Sequence, residues 1–284
     1  MPRALIAGCG YLGRALANLL TADGWEVEGW TLSPDSAREL SQNGQRTAAV
    51  DLSNARDVTA HQSDFTAVIH CASTRGGDVD AYRRVYLNGA RNLVEQFRGA
   101  KIVFTSSTSV YGQSSGELVT EESAAEPKPE TGKISRRAED LVLAGNGTVI
   151  RLGGIYGPGR SALLRNFLEG SVSVDADRFV NQIHRDDAAS AIQLLLKSAA
   201  TAGQIYNVVD NEPILVSECY RWLAAKLNRP VPPKGTSTSK RKRGASNKRV
   251  SNAKLRGLGW TPQYPTFADG MKKSVLDSFS ASTV

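Results

Sequence analysis

With 284 residues, 40% hydrophobic and 22% charged, the chain has the length and make-up of an ordinary globular protein. That length suits one large α/β domain, alone or with a small lobe, and buries roughly 70–75% of the unfolded surface without disulfide staples. Three scattered cysteines (Cys9, Cys71 and Cys219) and apolar runs far short of the roughly 18 residues that cross a bilayer argue against a disulfide framework, a zinc site and a membrane span. The net charge of +7 is concentrated: Lys234, Lys240, Arg241, Lys242, Arg243, Lys248 and Arg249 account for the whole excess, so a nucleic-acid face is not implied.

Short apolar runs and helical patterns alternate from the start. Residues 3–7 read as a strand, and glycines follow at once, so no signal-peptide core is expected and the chain is placed in the cytoplasm. Residues 11–21 carry Leu12, Ala15, Leu16 and Leu19 at helical spacing. Strands are expected at 26–31, 47–50, 67–71, 101–105, 148–152 and 205–209, and helices at 79–97, 135–143, 186–197, 216–227 and 267–279. Strands separated by helices of this length predict βαβ units and a doubly wound parallel sheet, a Rossmann fold. The pattern loosens after about Gly157. The expected division is a core of residues 1–157 rejoined by 183–210, with 158–182 and 211–284 forming a small C-terminal substrate lobe. A low-complexity basic loop at 234–251 belongs to that lobe.

Gly8-Cys9-Gly10-Tyr11-Leu12-Gly13 is a G-x-G-x-x-G loop placed directly between a predicted strand and a predicted helix, the context that gives this motif its meaning. Gly8 permits the tight turn, Gly10 lets backbone approach a pyrophosphate, and Gly13 lets helix and strand pack closely. The helix start then presents free N–H groups and a positive dipole end to phosphate. An NAD site would place a carboxylate at the end of the second strand. Here that end reads Gly29-Trp30-Thr31-Leu32-Ser33, with Arg38 the nearest arginine, which tilts the expectation toward NADP over NAD. Asp51-Leu52 suits either an adenine edge or a helix cap.

Four further segments resemble the extended short-chain dehydrogenase/reductases of the NAD-dependent epimerase/dehydratase kind. They are Val68-Ile69-His70-Cys71-Ala72, Tyr86 to Leu93 with Asn88 and Gly89, Ser106-Ser107-Thr108-Ser109-Val110-Tyr111-Gly112, and Arg151 to Gly159 with Tyr156-Gly157-Pro158-Gly159. The resemblance covers about residues 1–210. It implies a dinucleotide site drawn from Gly8, Gly10, Tyr11, Leu12, Gly13, Thr31, Asp51, Leu52, Cys71, Ala72, Ser73 and Asn88. It implies that Ser107 orients the reacting hydroxyl or carbonyl, and that a nucleotide sugar is the kind of substrate bound. A homodimer through the helices at 79–97 and 135–143 is also implied.

The family moves its proton with a Tyr-x-x-x-Lys pair. At the matching place this chain has Thr131 and Ser135, and neither can do that work: a threonine hydroxyl is too weakly acidic and serine carries no charge. Gly132-Lys133 followed by Ala138-Glu139 resembles the atypical YeeZ-like branch, which also lacks the pair. Lys133 is a replacement base or a surface lysine, and Tyr111 and Tyr156 are replacement bases or packing residues. His184 approaches the site or is structural, and Asp186 or Asp187 is expected to cap the next helix. Arg160, Asn181, His184, Lys248 and Arg249 are the expected contacts for a small anionic substrate. Lys240 to Arg243 make a solvated loop, a nucleic-acid patch or a localisation signal. Gly259-Trp260-Thr261-Pro262 resembles a family segment whose tryptophan packs against the lobe. Two functions remain open: an NAD(P)-dependent epimerase, dehydratase or reductase, or a dinucleotide-binding sensor or scaffold that has lost turnover.

Overall fold

The computed structural model describes residues 1–74, 76–170, 177–233 and 246–281. In chain order, β1 (Arg3–Ala7), α1 (Tyr11–Ala22), β2 (Glu26–Thr31), α2 (Pro34–Gln42), β3 (Arg46–Ala49), α3 (Ala55–Ala60) and β4 (Ala67–His70) form the first half. α4 (Val79–Tyr82) runs through a π-helical turn, Arg83–Asn88, into α5 (Gly89–Gln96). β5 (Lys101–Ser107), β6 (Glu117–Val119), α6 (Glu130–Ala144), β7 (Thr148–Leu152), β8 (Gly154–Tyr156) and α7 (Ala162–Leu168) follow. Then come β9 (Phe179–Val180), β10 (Gln182–His184), α8 (Arg185–Lys197), β11 (Ile205–Val208), β12 (Ile214–Leu215) and α9 (Val216–Leu227). The chain ends with β13 (Lys248–Val250), α10 (Ala253–Arg256), α11 (Phe267–Gly270), a second π turn at Met271–Val275, and α12 (Leu276–Ala281).

Seven strands form one sheet in the order β11-β7-β5-β4-β1-β2-β3, with every pairing parallel. This is the doubly wound fold. The central strands are buried on both faces, which explains why they are mostly apolar. Ala4 and Ile6 point into a cluster with Leu12 and Leu16 of α1 and Ile192 and Leu195 of α8. Leu5 and Ala7 point the other way, into a cluster with Leu93 of α5 and Ala138 and Val142 of α6. A third cluster lies off the sheet, where Tyr156, Leu164, Phe167, Tyr220, Phe267 and Met271 pack together. No helix among the described residues is long and apolar enough to cross a membrane.

Several local outcomes differ from the pattern in the sequence. The helix expected over 79–97 is interrupted by the π turn, over which the buried His70 imidazole contacts the Val85 carbonyl at 2.9 Å. α6 begins five residues earlier than its apolar periodicity suggests, so Thr131 and Lys133 are helical. The N-cap of α8 is His184, whose Nδ1 accepts from the Asp186 N–H, and not Asp186 or Asp187. Asp187 instead accepts the backbone N–H groups of Gln263 and Tyr264, anchoring the C-terminal segment to α8. Trp260 donates its indole N–H to Ser190 of α8 and packs in the sheet cluster, not in the off-sheet cluster. Lys234 and Lys240 to Arg243 lie outside the described residues.

Candidate dinucleotide and substrate site

The glycine loop lies at the carboxyl end of β1, in the middle of the sheet. The Gly8 and Cys9 N–H groups both donate to the Trp30 carbonyl of β2, at 3.0 and 2.8 Å, which fixes the loop to the neighbouring strand. Gly8 has φ +101°, and a Cβ there would fall 2.2 Å from the Ala72 backbone nitrogen. Gly13 is held as closely, its imagined Cβ 2.7 Å from the Gly8 carbonyl oxygen. Around Gly10 the space is open, and no side chain caps α1. Two crowded glycines therefore shape the turn, and the third leaves room in front of an uncapped helix start, as a pyrophosphate requires.

Beside the loop, the Thr31 hydroxyl donates to the Ser33 carbonyl, and Leu32 is 72% exposed. The two arginines on this side are engaged: Arg14 with Glu39 at 2.9 Å, and Arg38 with Asp35. Asp51 accepts from the Ser53 N–H and hydroxyl through Oδ1, as a turn residue does, and the buried Leu52 passes its carbonyl to Asn92. Cys71, Ala72 and Ser73 continue from β4 directly beside Gly8, with the Cys71 N–H donating to the Ala7 carbonyl. Burial holds the Cys71 thiol well above its usual range, so it stays protonated. Asn88 closes the π turn, half-buried.

Ser107 ends β5, half-buried, with Oγ accepting from the Ser109 N–H. Thr131 and Ser135, the residues expected in place of the Tyr and Lys pair, are bonded to each other: the Ser135 hydroxyl donates to the Thr131 carbonyl one turn earlier in α6. Lys133 is 52% exposed and pairs with Glu130 at 3.6 Å, on the solvent side of α6. Tyr111 is buried; its hydroxyl donates to Asn207 at 2.9 Å, and burial raises its pKa. Tyr156 is buried with its hydroxyl against Gly270, where a Cβ would fall 2.0 Å away.

Of the expected substrate contacts, His184 is fully buried. Its Nδ1 caps α8, its Nε2 lies 2.9 Å from the Ser274 hydroxyl, and burial lowers its pKa to about 4. Asn181 spends its amide on β13, donating to the Lys248 carbonyl and accepting from the Val250 N–H. Lys248 is 4% exposed, with Nζ donating to the Tyr111 carbonyl; burial and then the Arg178 charge push its pKa down to about 8. Arg249 is exposed and donates to the Gly116 carbonyl. Arg160 is exposed and lies over the Tyr11 ring, on the glycine loop itself.

Sequence reasoning passed over a buried polar cluster under Ser107. The Glu139 carboxylate, fully buried, accepts from the Ser106 hydroxyl at 2.5 Å, from Arg151 through Nε and Nη2, and from Arg136 at 3.0 Å. The Arg151 guanidinium also lies 4.7 Å from the Tyr111 ring centre. The signal was present: an arginine in the middle of the apolar strand Thr148-Val149-Ile150-Arg151-Leu152 must have a buried partner.

Comparison with known proteins agrees with this arrangement. The protein YeeZ of Escherichia coli strain K12 is 32% identical over 219 residues, which is 73% of this chain and 77% of that one. A solved structure from Methylobacillus flagellatus, assigned to the NAD-dependent epimerase/dehydratases, is 30% identical; it covers 98% of this chain and 99% of its own, with a TM-score of 0.79. MoeE5, solved in complex with UDP-glucuronic acid and NAD, shares the fold at 21% identity, with a TM-score of 0.83 over 99% of this chain and 100% of its own. The model of the NAD dependent epimerase/dehydratase family matches residues 4–208, and the chain belongs to that family.

Proposed function

We propose that the chain binds NAD at the Gly8–Gly13 loop and holds the hydroxyl or carbonyl of an anionic, nucleotide-sugar-like substrate at Ser107. The observation that carries this is the glycine loop: two glycines that no side chain can replace, and an open third in front of an uncapped helix start. NAD is preferred to NADP because Arg14 and Arg38 are already paired with Glu39 and Asp35, so neither stands free for a 2′-phosphate. The family, and the UDP-glucuronic acid in the MoeE5 complex, support the substrate class.

When bound, NAD supplies the hydride chemistry. The Ser107 hydroxyl accepts from Ser109 and keeps its own hydrogen to donate to a substrate oxygen. Lys248 is buried beside the same motif, with Nζ donating to the Tyr111 carbonyl, and it supports the loop after Ser107. Lys133 is drawn to Glu130 and takes no part in this reading.

A second reading is a dinucleotide-binding protein without turnover. It is favoured by one observation: the Ser135 hydroxyl is spent on the Thr131 carbonyl where the family's proton carriers would stand. Calorimetry with NAD, NADH, NADP and NADPH, followed by NADH formation in the presence of UDP-glucose or UDP-glucuronic acid, separates the two. Ser107→Ala is expected to leave NAD binding intact and abolish turnover. Binding without turnover for any sugar nucleotide supports the second reading, and no dinucleotide binding at all overturns both.

A further inference from the structure

We propose that Arg160 and Arg185, both docked on the Tyr11 ring, form a cationic clamp for the pyrophosphate of the dinucleotide. The proposal rests on the reading of the glycine loop as the dinucleotide site, and it moves Arg160 from the substrate to the cofactor.

Tyr11 is the first residue of α1 and follows Gly10 directly, so its ring stands at the mouth of the phosphate site. Its hydroxyl donates to the Pro158 carbonyl at 3.0 Å, tying the glycine loop to the Tyr156–Arg160 loop across 147 residues of chain. Gly157 is where the two meet: a Cβ there would fall 2.7 Å from the Tyr11 hydroxyl. Two guanidinium groups then lie on the same ring, Arg160 at 5.2 Å and Arg185 at 4.9 Å from its centre. A tyrosine face attracts each of them, but two like charges on one ring repel.

The local charge does not cancel. Arg185 is matched by Asp186, with Nε 2.8 Å from Oδ1, whereas Arg160 forms no ion pair among the described residues. One cation is therefore left over beside a helix start that is itself electropositive and uncapped. The ligand this arrangement suits is a diphosphate, with the helix N–H groups on one side and a guanidinium fork on the other. A sugar nucleotide also carries a diphosphate. The dinucleotide is preferred because the platform for both arginines is the residue next to Gly10.

The test compares wild type with Arg160→Gln by calorimetry, using NAD, NADP, ADP, adenosine and UDP-glucose as probes. NAD, NADP and ADP are expected to bind about ten-fold more weakly to the variant, as loss of a charge-assisted contact implies, with adenosine and UDP-glucose unchanged. Tyr11→Leu, which removes the platform, is expected to weaken the same three ligands. Equal binding of NAD and ADP by wild type and Arg160→Gln overturns the clamp while leaving the dinucleotide site standing. So does a loss confined to UDP-glucose, which returns Arg160 to the substrate, or an equal loss for adenosine, which makes Arg160 a loop support. Wild-type protein that binds neither NAD nor ADP overturns the dinucleotide reading and the clamp together.

Discussion

The Glu139 carboxylate of α6 and the Arg151 guanidinium of β7 face each other with no solvent between them, Nη2 2.7 Å from Oε2 and Nε 3.1 Å from Oε1. Ser106 and Arg136 complete the set of donors to the carboxylate. Ser106 precedes Ser107, so this ion pair fixes the end of β5 from beneath.

A buried charge that loses its partner is expensive. Glu139→Leu is expected to destabilise the fold by about 3–5 kcal/mol, because it leaves the Arg151 cation uncompensated, and Arg151→Met strands the Glu139 carboxylate in the same way. The double change Glu139→Leu with Arg151→Met is expected to recover most of that loss, since it removes both charges together. Urea unfolding of the two single variants and the double variant measures this. Additive losses would mean that the pair contributes nothing as a pair.

Gly8 and Gly10 are expected to respond in opposite ways. Gly8→Ala places a Cβ 2.2 Å from backbone at a φ of +101°, so thermal stability falls. Gly10→Ala enters open space, so the Tm stays within a degree or two while NAD binding weakens by about ten-fold or more. Thermal melts with and without NAD check both. Unimpaired binding by Gly10→Ala would remove the glycine loop as the phosphate site.

His184 makes the fold acid-sensitive. Burial, opposed by Asp186 and assisted by Arg185, lowers its pKa from 6.5 to about 4. Below 6.5 the unfolded chain takes up a proton that the folded chain refuses, so stability present above pH 6.5 is lost as the pH falls toward 4. His184→Gln cannot titrate, so its Tm is expected to fall less steeply than wild type over that window. Parallel curves would show that the imidazole is protonated in the fold.

Lys248 acts at the alkaline end. Its pKa lies at about 8 in the fold against the usual 10.5, so the folded chain holds fewer protons between those values and gains stability as the pH rises through them. Lys248→Met gives up the bond to the Tyr111 carbonyl but also the buried charge. Its Tm relative to wild type is expected to be highest near pH 7 and to decline from pH 8 to 10. A difference that does not change with pH would place the ammonium in solvent contact.

The sequence by itself determined the sheet and the glycine loop at the end of its first strand. Strand alternation, helix periodicity and three glycines at fixed spacing are local properties, and each dictates geometry within a few residues. The expectation that Thr131 and Ser135 stand at the places of a Tyr and Lys pair came from the sequence alone, because it needs only identity at a position. The tertiary structure alone decided what each polar residue touches. Lys133 and Lys248 are both lysines near a motif, yet one pairs with Glu130 at the surface and the other is sealed under Tyr111, because helix phase and the pairing of β13 with β6 set their burial. Arg160 and Arg185 are 25 residues apart and meet only on the Tyr11 ring, and Glu139 and Arg151 find each other only when α6 packs on the sheet. Charge and burial act through space, so their consequences appear only once the chain has closed on itself.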